Sequence, residues 1–124
     1  MNQPTHGGLA RRLTNQAAGD RQAEAAARIL TLAVDGRLVG SLAPAIDDQP
    51  AEAMAFINWD VALQVTRNLS NGEQSLVRLA ASLATSRMVN LAEALTGLDR
   101  GNALVVLDAF AHALSLDQAD EVGQ

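Results

Sequence analysis

The sequence predicts an all-α domain: a small bundle of four to five short helices around an apolar C-terminal helix, with room for a minor extended segment near residues 53–57. Three observations predict it. Apolar residues recur at helical spacing through most of the chain, capping residues precede most of those runs, and only two Phe and one Trp are aromatic. The core must then be built from Leu, Val, Ile and Ala, which suits close-packed helices.

At 124 residues the chain has the length of one domain. A chain of that size buries roughly two-thirds of the surface its unfolded form exposes, so it needs no covalent staple. With no cysteine, disulfides and thiolate metal sites are excluded, which fits the cytoplasm. Residues 1–19 lack the apolar stretch of a signal peptide. No apolar run approaches the roughly 18 residues a bilayer span requires, so no membrane role is expected.

Residues 1–19 read as a flexible N-terminal segment, in which Leu9 to Gln16 could form a short basic turn carrying Arg11 and Arg12. The single helical domain is expected over 20–116. Asp20 is the first N-cap, followed by Ala26, Ile29, Leu30, Ala33 and Val34 on one buried stripe. Glu24, Arg28, Thr31 and Asp35 fall on the opposite face, with Glu24 and Arg28 spaced as an i, i+4 pair. Gly36 supplies a C-terminal stop. A two-residue hairpin turn across Val34–Arg37 is the competing reading.

Residues 37–43 suit one more helical turn, ended by Pro44. A polar loop follows to Glu52, and then the short extended stretch. Asn58 caps a helix that buries Val61, Ala62, Val65 and Leu69. Ser70 and Glu73 form a capping box ahead of a helix burying Leu76, Leu79, Ala80, Leu83 and Ala84. Asn90 and Glu93 repeat that arrangement for a short helix with Leu91, Leu95 and Leu98 inward. Asp99 caps the last helix, over roughly 100–116, and 117–124 reads as an acidic flexible tail.

The last helix is too apolar for an ordinary surface helix. From Ala103 to Leu116 its polar side chains are Asp108, His112 and Ser115, one thin stripe. Either it is the central helix wrapped by the others, or half of it is covered by a second copy of the chain. Four or five short helices barely surround a central one, which favours the homodimer. Leu104, Leu107, Phe110, Ala111 and Leu114 are then the interface residues. Phe56 and Trp59, beside the longest loop, are a candidate partner-binding pair. The alternative for Trp59 is closing the core ahead of the Asn58 cap.

One stretch carries a family likeness. Leu69-Ser70, Glu73, the run from Leu76 to Ala81 and Leu91-Ala92-Glu93-Ala94-Leu95 resemble the start of the helix-turn-helix domain of quorum-sensing-type response regulators. That family opens with Leu-Thr-x-x-Glu and an apolar helix, then carries an Ile-Ala-x-x-Leu scaffold helix. The resemblance implies a recognition helix next, over residues 100–116. There the sequence departs from the family: Ala84 to Asn90 is longer than the tight turn, and the helix offers Asp108 and His112 where base readers carry Arg, Lys, Asn or Gln. The net charge of −5 also disfavours nucleic acid.

Catalytic chemistry has little to stand on. Asp108 and His112, one turn apart, are the only carboxylate–imidazole pair at bonding distance by spacing, and His6 is the only other histidine. No catalytic residue, metal ligand or cofactor-binding residue is assigned, and no cofactor is expected. The glycine pairs Gly36/Gly40 and Gly97/Gly101 lack a phosphate-loop context. The expected function is a non-enzymatic protein-interaction or accessory module, homodimeric, with a divergent helix-turn-helix regulator as the alternative.

Overall fold

A computed structural model describes the backbone of residues 5–118 and side chains from 8 to 117; residues 119–124 of the expected acidic tail lie outside that range, as does the His6 side chain. Seven α-helices and one two-stranded antiparallel sheet occur among the described residues. The helices are α1 (Thr5–Ala17), α2 (Arg21–Leu32), α3 (Leu38–Ser41), α4 (Trp59–Val65), α5 (Asn71–Thr85), α6 (Leu91–Thr96) and α7 (Arg100–Ala113). The strands β1 (Ile46–Gln49) and β2 (Met54–Ile57) sit between α3 and α4. No helix among the described residues is long and apolar enough to cross a membrane.

The helix starts follow from local chemistry. The Asp20 carboxylate accepts from the Gln22 and Ala23 amides, Asn58 from Val61, Asn90 from Glu93 and Asp99 from Asn102. At α5 both halves of the capping box are present: Ser70 Oγ accepts from the Glu73 amide, and Glu73 Oε1 accepts from the Ser70 amide. Each cap satisfies amides that the first helical turn leaves without intrahelical partners.

The packing centres on α2 and not on the last helix. Ala25, Ala26, Ile29, Leu30 and Ala33 are all buried, because α5, α7 and α1 pack around α2. Three consecutive alanines, Ala25–Ala27, let those neighbours approach closely, which a helix of large side chains would prevent. The remaining core comes from Leu38, Val39 and Leu42 on and just after α3 and from Leu76, Val77, Leu79 and Ala80 on α5.

Of the segment expected to be loose, 1–19, residues 1–4 lie outside the described residues and Thr5–Ala17 form α1. Leu13 and Ala17 are buried, and two polar contacts tie the helix to the sheet: Arg12 pairs with Asp48, and Asn15 Nδ2 donates to Ala53 O at 2.9 Å. An isolated helix this short is marginal; packing on the sheet makes it hold. The sheet is a hairpin with Ile46 opposite Ile57 and Gln49 opposite Met54. The extended stretch near 53–57 is therefore one strand of a pair.

Residues 34–37, read either as a helix stop or as a hairpin turn, form a left-handed turn. Val34 (φ 57), Asp35 (φ 56) and Gly36 (φ 81) are consecutive positive-φ residues. A β-branched residue there is strained. The turn is held from α7, where Asn102 Oδ1 accepts the Val34 amide at 2.8 Å.

Candidate functional site

The sequence singled out α7 for its excess of apolar surface, and the structure shows how that surface is divided. Val106 and Ala109 are buried, with Val105, Phe110 and Ala113 half-buried against the core. The opposite side carries Leu104, Leu107 and Leu114, which are 53%, 65% and 69% exposed. Of the five expected interface residues, those three form an outward ridge, Ala111 is half-buried within it, and Phe110 lies at its inner edge.

A polar seam fixes which side of α7 faces out. Two members of the polar stripe of α7, His112 and Asp108, meet polar residues of α2, while Ser115 is exposed. His112, 8% exposed, places Nε2 2.7 Å from Glu24 Oε1 and Nδ1 against Asp117 Oδ2. Arg21 Nε donates to the His112 carbonyl at 2.8 Å and its guanidinium pairs with Asp117. Arg28 pairs with Asp108 at 3.0 Å and reaches Asp117 at 3.6 Å. The Asp108–His112 pair expected from spacing is not made, because each side chain finds a closer partner across the helix interface. The Glu24–Arg28 pair is replaced in the same way. A rotation of α7 that buried its leucines would break the seam at its far end and the Asn102 contact at its start, and would expose Val106 and Ala109.

The seam sets the local electrostatics. The hydrogen bond from His112, then the Gly19 amide, holds the Glu24 carboxyl below the usual carboxylate range. The hydrogen bond from His112 does the same for Asp117, helped by Arg21 and Arg28. Both ring nitrogens of His112 face carboxylates, and Arg21 Nη2 also approaches Nδ1 at 3.1 Å. No group of three or more His, Cys, Asp or Glu among the described residues is placed to hold a metal ion.

Beside the leucine ridge lies a groove of about 340 Å³. Leu79 and Leu83 of α5 line it together with Met88, Val89 and Leu91, and Phe110 borders it from α7. Met88 is 99% exposed, and Leu91 and Leu95 are 47% and 42% exposed. Sequence reasoning turned Leu91 and Leu95 inward; the structure turns Ala94 inward instead. The missed signal was the length of α6, whose six residues have one face to bury.

Phe56 and Trp59 have different surroundings. Trp59 is half-buried and lines a crevice with Leu13, Ala17, Leu30 and Ile57, whereas Phe56 is 42% exposed on β2 and does not join that crevice. No protein-family model matches this chain, and neither a curated protein nor a solved structure shows significant similarity to it.

Proposed function

We propose that this chain is a non-enzymatic protein-interaction module that works as a homodimer, joined through the outward face of α7. One observation carries the reading: Leu104, Leu107 and Leu114 stand exposed on a helix whose rotation is pinned at both ends by polar contacts. An apolar helix face left in water is a common mark of a protein–protein contact, and two-fold dimers are the commonest oligomer that would cover one. The occupied nitrogens of His112 support the non-enzymatic half. A cytoplasmic setting rests on the lack of cysteine alone.

The helix-turn-helix alternative would need α7 to present base-reading side chains outward. Leucines stand there instead, so dimer contact has the better support.

Sedimentation equilibrium of the full chain tests the proposal. The wild type should run at twice the 13.0 kDa chain mass, and Leu107→Asp should run as a folded monomer. A wild type that stays monomeric at roughly 100 µM, a concentration that weak interfaces of about 10⁻⁵ M affinity would already fill, overturns it. Retardation of duplex DNA that weakens steeply with salt would favour the regulator instead.

A further inference from the structure

The ridge and the groove lie side by side on one surface, with Phe110 between them. A ridge beside a hollow of matching chemistry allows a closed two-fold contact in which each copy's ridge enters the other's hollow. We infer that the α5–α6–α7 groove receives the Leu107 side of the second copy's α7, so that two ridges and two grooves close on each other in one isologous interface. The inference rests on the homodimer reading and adds the groove as its second half.

Area supports a second copy as the occupant. The exposed parts of Met88, Leu91, Leu95, Leu104, Leu107 and Leu114 come to roughly 700 Å² per chain, close to the ~800 Å² each partner contributes to a standard interface. The ridge on α7 alone supplies about half of that. A dimer built on the ridge alone would therefore leave Met88, Leu91 and the groove in water.

The chemistry of the lining agrees. Leu79, Leu83, Val89, Leu91 and Phe110 are apolar, and Ser82 and Arg87 are the polar residues at its edge. A branched aliphatic side chain fits such a hollow, and Leu107 is the most exposed leucine on the middle turns of α7.

Two kinds of variant test it. Ser82→Trp fills the groove from its rim and Leu107→Asp removes the ridge. Both should raise the dimer dissociation constant about 100-fold or more, the loss expected when one or two buried leucines no longer find their pockets. If Leu107→Asp dissociates the dimer and a folded Ser82→Trp does not, the groove inference fails while the homodimer reading survives. If the wild type is a monomer, both fail.

Cross-linking gives a second readout that does not depend on Ser82→Trp folding. The chain contains no cysteine, so equal amounts of Leu107→Cys and Leu91→Cys chains can be mixed and oxidised. A mixed disulfide formed in preference to the Leu107→Cys homodimer supports the inference. Homodimers alone, or no cross-link, overturn it.

Discussion

Asn102→Ala is the substitution that asks most directly how α7 is held. Asn102 is half-buried in the first turn of α7, and its Oδ1 accepts the Val34 amide at 2.8 Å. Val34 and Asp35 both sit at positive φ, a geometry that costs about 1–2 kcal/mol per L-residue and persists only where surrounding contacts impose it. Removing the acceptor orphans the Val34 amide, a penalty of about 1–3 kcal/mol. Because the site is only partly buried, water recovers some of that, and we expect a loss of about 1–2 kcal/mol. Urea unfolding should show a lower midpoint at unchanged slope. Asn102→Asp keeps the acceptor but sets its carboxylate against Asp99 Oδ2, which Asn102 Nδ2 approaches at 3.5 Å, so it should cost less than Asn102→Ala without matching wild type. Hydrogen exchange reads the bond itself: the Val34 amide should be protected in the wild type and lose protection in Asn102→Ala. An Asn102→Ala protein as stable as wild type, or an equally damaging Asn102→Asp, would refute the reasoning.

Other expectations follow from the same contacts. Glu24 and Asp117 titrate below their ordinary range when folded. The stability they contribute is therefore complete above pH about 4–5 and is lost as pH falls through their folded values. The acid limb of a stability–pH curve should flatten in His112→Ala, which removes the leading cause of both shifts; an unchanged limb would show that the seam does not contribute. Ser70→Ala breaks the capping box of α5 and should cost about 1 kcal/mol in chemical denaturation. Ala26→Leu, at a position 1% exposed on the central helix, should cost about 1–3 kcal/mol through overpacking; a neutral result would mean that α2 has spare room around it.

How much of this was legible in advance follows the range of the interactions. The caps at Asp20, Asn58, Ser70, Asn90 and Asp99 were readable because each is a side chain bonding an amide two or three residues away. The excess apolar surface of α7 was readable for a related reason: composition around one helix needs no partner to be counted. The strand near 53–57 was seen only faintly, since four residues carry too little period to separate strand from turn.

The tertiary structure decided which faces meet. His112 turned to Glu24, 88 residues away, and not to Asp108 one turn back. The marginal helix at 5–17 held because Asp48 and Ala53 lie across from Arg12 and Asn15. Leu91 and Leu95 faced out because Ala94 took the inner side of a six-residue helix. The sequence by itself determined the five capped helices, their starts and the surplus of leucine, all set by contacts within a turn or two. Only the assembled chain decided that the leucines of α7 point outward, because that depends on polar partners brought close by folding and not by spacing.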